Sequence, residues 1–394
     1  DPEMSRGLGD VYKRQIYKRE NVMKRIYNYL KKDAVLTISW VLAIISMLFI
    51  KPDKAYAGYI DWRSLGILWS LMIITKGYMQ NGIFEKIGHA LLARTRKMWQ
   101  LIAVLVGLNF FSSMIITNDV SLITFVPFAI MMLKQCGRQE LMIPVVVLQT
   151  IAANLGSMLT PIGNPQNLYL HGLAGTGIGE FIMWLLPYTI ASALLLVISI
   201  LLIKNKNEII CIEDTDSEAA HNTSVPRVMA YSVLFVLALL VVARVLTWYI
   251  LAAAVLITVL LLEKNVLAKA DYALLLTFIG FFIFTGNMGR VEPVAHFLAG
   301  IVNGWELEAG IITSQCISNV PAALLLSEFT DNIKNLAIGV NIGGLGTLIA
   351  SMASLISYKL YANEVPEKKG KYFAVFTVYN IIFLVVLYVF TKLI

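Results

Sequence analysis

Charge is the scarcest thing in this sequence. Only 14% of its 394 residues are Asp, Glu, Lys or Arg, where a soluble globular chain carries about 25%. Histidine is rarer still, with 4 copies, and the 3 cysteines, Cys136, Cys211 and Cys316, are scattered. Such spacing supplies neither a disulfide framework nor a metal cluster. HExxH, GxSxG and any cluster of His with Asp are missing too, which removes the usual metal-ligand and nucleophile–base sets of an enzyme. The expectation is therefore a protein that is not an enzyme and carries no cofactor.

What remains is apolar, with 58% hydrophobic residues. Apolar runs long enough to cross a hydrocarbon core of about 30 Å recur from end to end. Helices are the expected spanning element, because a helix satisfies its own backbone polar groups in lipid. The fold class is thus all-α and polytopic, with the lipid bilayer as a partner. A net charge of +7 raises the question of nucleic acid, but the cations sit in short loops between apolar runs. Membrane orientation explains them better, and no nucleic-acid partner is expected.

Crossings are expected at about 34–50, 62–79, 141–172, 180–203, 228–246, 247–262, 271–286, 336–358 and 372–391. Two further apolar stretches, 98–134 and 309–327, are interrupted by Asn118-Asp119 and by Ser318-Asn319, and read as hairpins that leave the membrane on the side they entered. The basic segments Lys24–Lys32, Arg94–Lys97, Lys134–Arg138, Lys204–Lys206, Lys264–Lys269 and Lys359–Lys371 then share one side. The positive-inside tendency makes that side cytoplasmic, with the N-terminus inside an inner (cytoplasmic) membrane. Residues 1–22 stand apart. Asp1–Gln15 resembles a cloning or sequencing adapter, so a non-native or disordered leader and a natural start at Met23 are expected. The remaining plan is a first half over 23–203, an acidic linker over 204–227 and a second half over 228–394.

The strongest signal is self-similarity. Asn154-Leu-Gly-Ser-Met-Leu-Thr160-Pro-Ile is matched by Asn341-Ile-Gly-Gly-Leu-Gly-Thr347-Leu-Ile. Upstream of each lies a polar break, with Asn118 in one and Asn319 in the other. Further upstream, Gly82-Ile-Phe-Glu85 through His89 echoes Gly289-Arg-Val-Glu292 through His296. In the topology above the two hairpins open to opposite sides, so the halves are inverted repeats, an arrangement in which broken helices meet near the bilayer midplane. Half-helix N-termini there offer N–H donors to anions.

The candidate ion and substrate residues follow from these breaks. Asn118 and Asn319 offer carboxamide oxygens, or else cap their half-helices. Asp119 is an acid in an apolar stretch, costly unless it marks an ion or proton path, and its counterpart is Val320. Thr117 and Ser318 abut the asparagines, with Ser112, Ser113, Thr313 and Ser314 near by. Asn154, Gly156, Thr160, Asn164, Gln166 and Asn167 form the first helix interruption; Asn341, Gly343 and Thr347 form the second. A break so rich in amides should face a cavity rather than lipid. Lys76, Arg244 and Arg290 lie near span ends and are expected to snorkel. His89 and His296 belong to amphipathic arms, and His171 and His221 to loops.

These motifs resemble the ion transporter superfamily, which includes arsenite-efflux permeases, NhaD-type Na⁺/H⁺ antiporters, citrate–metal symporters and divalent anion:sodium symporters. The likeness runs through Thr117-Asn-Asp and the following Val-Ser-Leu-Ile-Thr-Phe-Val-Pro-Phe, then Asn154 to Asn167, then Ser318-Asn-Val-Pro-Ala-Ala. It covers essentially the whole chain after residue 34 and is nearest to the arsenite-permease and NhaD branch. The resemblance implies a secondary transporter of a small anion or oxyanion, coupled to Na⁺ or H⁺, or alternatively a Na⁺/H⁺ antiporter. From the hairpin motifs of the sodium-coupled carboxylate carriers, it implies ion and substrate contacts for Asn118 with Thr117, and for Asn319 with Ser318. It also implies Na⁺ at Asn118, Asp119 and Asn319. Those carriers have Thr where this chain has Asp119 and Val320; an acid there is similar to the arsenite and antiporter branch and suits proton or Na⁺ exchange. Homodimers are common in parts of the superfamily, which leaves a second copy open as a partner.

Overall fold

A computed structural model of the protein describes residues 34–92, 95–203 and 224–394. The expectations for residues 1–22, for His221 and for most of the linker lie outside them. Among the described residues the regular elements are helices, with no strand. In chain order the first are α1 (Ala34–Phe49), α2 (Tyr56–Tyr59), α3 (Trp62–Gln80), α4 (Ile83–Leu92), α5 (Met98–Ser112) and α6 (Asn118–Gln135). There follow α7 (Met142–Ser157), α8 (Pro165–Ala174), α9 (Ile178–Leu202), α10 (Val225–Val242), α11 (Trp248–Leu262) and α12 (Tyr272–Gly289). The last are α13 (Glu292–Val302), α14 (Glu306–Ile317), α15 (Asn319–Leu326), α16 (Ile333–Gly343), α17 (Met352–Glu364) and α18 (Lys369–Thr391).

The described residues form two compact units, one of residues 34–60 with Asp271–Val291 and one of the described part of residues 61–270 with Glu292–Ile394. In the first, α1 lies along α12. Gly280 lets the two backbones close up, since a Cβ there would sit 2.8 Å from Ser39 Oγ. Asn287 donates to Ser46 Oγ at 2.9 Å and to the Tyr56 hydroxyl at 2.8 Å. Arg290, exposed at the end of α12, donates to Asp53 at 2.8 Å and to the Tyr59 hydroxyl at 2.9 Å.

The second unit holds both polar interruptions and both broken helices. Among the described residues, five segments are long and apolar enough to cross a membrane: Gln139–Ser157, Ile178–Leu202, Val225–Val242, Tyr272–Gly289 and Pro366–Thr391. Their surroundings differ. α7 buries nearly all its side chains inside the protein, whereas α9, α10 and α18 present apolar faces outward, with Leu194, Val197, Leu202, Val233, Val236, Ile382 and Val389 all exposed. Exposing such side chains to water would cost on the order of 1.5–3 kcal/mol each, so these faces belong in lipid. The protein is a multi-pass membrane protein.

Both sequence interruptions expected as hairpins are helix–turn–helix pairs. α5 and α6 pack together across a tip at 113–117, and α14 and α15 pack across a tip at Ser318. The stretches 141–172 and 336–358 are each two helices with a break, α7 then α8 and α16 then α17. The packing is crossed: α6 lies against α17, and α15 against α8. Each hairpin's return arm therefore meets the second arm of the other half's broken helix.

Candidate functional site

Glycine and amide positions in the breaks set the geometry. A Cβ on Gly156 would overlap the Phe110 carbonyl oxygen and lie 2.7 Å from Ser113 Oγ; one on Gly343 would lie 2.9 Å from both Ile311 Cα and Ser314 Oγ. Phe110 and Ser113 precede Asn118 by the same intervals as Ile311 and Ser314 precede Asn319. Both glycines thus let a hairpin lie directly on a broken helix. The second tip is also strained: Ser318 adopts φ 77°, ψ 153°, a region nearly restricted to glycine that costs roughly 1–3 kcal/mol and persists where surroundings impose it.

At the first tip, Asn118 begins α6. Its backbone N–H donates to the Gly163 carbonyl at 3.2 Å, and its Nδ2 donates to Asn154 Oδ1 at 3.1 Å. Its Oδ1 accepts from the Asp119 N–H at 3.0 Å. Thr117 is half-buried beside it, and Asp119 is half-buried with its Oδ1 closed off from solvent. Asn154, in the last turn of α7, accepts from Ser351 Oγ at 3.0 Å and donates to Ser354 Oγ at 3.3 Å. Thr150, one turn earlier, donates to Ser357 Oγ at 2.8 Å.

The second half repeats this bonding in reverse. Asn341, which matches Asn154, accepts from Asn164 Nδ2 at 3.1 Å and donates to Asn167 Oδ1 at 2.6 Å. Asn164 and Asn167 follow Asn154 by ten and thirteen residues; Ser351 and Ser354 follow Asn341 by the same intervals. Each half's asparagine therefore grips the start of the other half's second arm. Asn164 also caps α8 by accepting from the Asn167 N–H at 2.9 Å. Asn167 donates to the Met158 carbonyl at 2.8 Å, closing the break. All four asparagines are buried, so each bond replaces one that water would otherwise make.

The remaining candidates sit around this core. Asn319 is buried, its Nδ2 2.8 Å from the Cβ position of Gly344 beside Asn341. Gln166 is buried on the first turn of α8, and Thr160 reaches back to the Met114 carbonyl at the first tip. Thr347 is exposed and is held by Gln315, whose Oε1 accepts the Thr347 N–H at 2.9 Å while Nε2 donates to the Gly343 and Leu345 carbonyls. His171 is not a loop residue but lies buried on α8, edge-on to Phe181. Its place follows from Pro165 and the Asn164 cap, which start a helix through it. Arg244, exposed past the end of α10, donates to the Gly172 carbonyl at 3.0 Å. Gln315, Ser351 and Ser354 escaped sequence reasoning. The two serines could have been found by carrying the repeat ten and thirteen residues past Asn341.

Crossed broken helices, two helical hairpins and a buried amide cluster make up the candidate site, and comparison with known proteins supplies its family. A profile described as citrate transporter matches residues 28–334. The chain belongs to the citrate transporter family. An uncharacterised transporter of Methanocaldococcus jannaschii is 31% identical over 361 residues, covering 91% of this chain and 97% of the relative. The inner membrane protein YbiR of Escherichia coli is 30% identical over 345 residues, covering 82% and 87% of the two chains. A silicon efflux transporter of Oryza sativa shares 30% identity over 152 residues, 38% of this chain and 30% of its own. Membership of this family, with the apolar helices, makes the chain a membrane transporter.

Proposed function

We propose that this transporter is a secondary active permease of the cytoplasmic membrane, moving a small anion or oxyanion coupled to Na⁺ or H⁺. The observation that carries this reading is the reciprocal bonding of Asn154 to Ser351 and Ser354 and of Asn341 to Asn164 and Asn167. Two inverted halves that exchange hydrogen bonds across their packed helices can rock about a shared midplane site, trading one bonded set for another, which is alternating access. Buried amides and hydroxyls supply donors for oxygens of the solute. The N-termini of α6 and α15 add their partial positive ends. Asn118 and Asn319 with Asp119 supply oxygens for a coupling cation, and Thr117 and Ser318 flank them. A family named for citrate and a relative named for silicon efflux support a solute rich in oxygen.

A second reading is favoured by one residue. Asp119 stands at the first hairpin tip where the second has Val320, so one half alone carries a titratable acid at the break. That asymmetry suits Na⁺/H⁺ antiport, with the ion itself as substrate. On both readings the chain performs no covalent chemistry.

Proteoliposomes holding the purified protein and a pH-sensitive dye separate the readings. Under an imposed Na⁺ gradient, proton movement lost in Asp119→Asn identifies the antiporter. Silence until citrate or an inorganic oxyanion is added identifies the permease. Full transport by Asp119→Asn takes that residue out of the mechanism, and no flux of any tested ion refutes both.

A further inference from the structure

A second polar feature forms where the ends of α3, α8 and α10 come together. α10 closes with the Val245 N–H on the Leu240 carbonyl at 2.9 Å and the Arg244 N–H on the Val241 carbonyl at 3.0 Å. This closure usually places glycine at its left-handed position. Here the residue is Arg244, at φ 64°. A side chain at that position is strained, and the turn itself has no need of one.

The guanidinium has company. Arg244 donates Nη2 to the Gly172 carbonyl at 3.0 Å, and Arg63, from the first turn of α3, donates Nη2 to the Val241 carbonyl at 3.2 Å. A Cβ placed on Gly172 would lie 3.2 Å from Arg63 Nη1, and the two cations are close enough to repel each other. Each guanidinium carries five N–H donors, and these carbonyl bonds use one apiece. The carbonyl end of α8 and the Asp61 carboxylate offset part of the charge, but Asp61 Oδ1 is already engaged in capping α3 through the Ser64 N–H at 3.0 Å. The N-terminus of α11 adds positive potential from the other side.

Between them lies a cavity of about 560 Å³ lined by Arg63, Gly172, Arg244, Thr247, Trp248 and Tyr249. Ser64 Oγ lies 3.4 Å from the same point on Gly172; it is buried and has no hydrogen-bond partner among the described residues. Surplus cations, forked donors, an unsatisfied hydroxyl and space call for an anion. In the orientation expected from the basic loops, this end of the molecule faces outward, where arginine is otherwise sparse.

We infer that Arg63 and Arg244 form an anion-binding vestibule that takes a carboxylate or oxyanion through forked guanidinium hydrogen bonds. Its role as an entrance rests on the anion-permease reading; the binding itself does not.

The test is calorimetric titration of the full chain, purified in detergent at low ionic strength, with inorganic phosphate and with succinate. Trp248 emission serves as a second readout. Saturable binding of at least one probe is expected, weakened about tenfold or more in Arg63→Gln and in Arg244→Gln, and partly kept in Arg244→Lys. Arg244→Gly separates binding from a merely structural role: it relieves the strained turn, so its melting temperature holds or rises while binding is lost. A lowered melting temperature with unchanged binding overturns the inference. So does failure of both probes to bind the wild-type chain. Asn341→Ala, at the central cluster, is expected to leave this binding intact. If that variant loses it and the arginine variants do not, the anion sits in the centre, the permease reading stands and the vestibule falls. Arginine-dependent binding without flux of any anion would leave the vestibule standing and refute the permease.

Discussion

The arms that follow the two helix breaks, α8 and α17, meet the opposite half's asparagine at matching positions but with different groups. α8 presents Asn164 and Asn167 to Asn341; α17 presents Ser351 and Ser354 to Asn154. An amide fixes its donor and acceptor ends, and Asn164 is further held by capping its own helix. A serine hydroxyl turns to whichever acceptor is near. The hairpin tips differ in the same way. The first has Asn118 locked to Asn154 and an acid beside it, the second a strained Ser318 and an apolar Val320. The asparagine bonds thus recur at matching intervals while the groups they meet differ, which gives the first half a rigid, charged edge and the second a looser one.

The largest expected break in this comparison is Gly156→Ala. Its methyl would overlap the Phe110 carbonyl, a backbone atom that cannot step aside, and a loss of about 3 kcal/mol is expected. Gly343→Ala meets milder contacts and should lose about 1–2 kcal/mol; melting curves of the two purified variants, in that order of damage, check it. Next comes Asn341→Ala, which strands the amides of Asn164 and Asn167 and should cost about 2 kcal/mol. Asn154→Ala strands the Asn118 amide but leaves two hydroxyls free to reorient, at about 1 kcal/mol. Equal losses would remove the stiffness assigned to the first half. Ser318→Gly works the other way: by relieving the tip it should raise stability by about 1 kcal/mol, and a lower melting temperature would show that the strain is not there to relieve.

The smallest effect lies in the other unit. The hydrogen bond from Arg290 holds the Asp53 carboxyl below its ordinary value of 3.8. A carboxylate lowered on folding stabilises above its unfolded value and loses that contribution as pH falls through the folded one. Asp53→Asn should therefore melt slightly lower than wild type at neutral pH, and the gap should close at strongly acid pH and in high salt. A gap that persists at acid pH would mean packing rather than charge.

Much of this was legible beforehand. The low charge and repeated apolar runs required a helical membrane protein, and the polar pairs Asn118-Asp119 and Ser318-Asn319 marked hairpin tips because a helix has no reason to bury them. The central cluster was half legible. Asn154 and Asn341 stood out as a matched pair, but what each grips lies about two hundred residues away in the chain, and serine is too common in membrane helices for Ser351 and Ser354 to stand out. His171 was misplaced in a loop because its helix is set by Pro165 and Asn164, in a stretch that reads as an interruption. What Arg244 meets was not legible, because only the fold brings Gly172 and Arg63 to it.

The most direct test of the central cluster is ion or anion flux in proteoliposomes holding Asn341→Ser, a change that keeps a hydroxyl donor but cannot bridge Asn164 and Asn167 at once. Expected is a folded protein, destabilised by less than Asn341→Ala, whose flux falls at least about tenfold, the rate equivalent of about 1.4 kcal/mol. Wild-type flux from that variant would contradict a transport site built on the reciprocal asparagines.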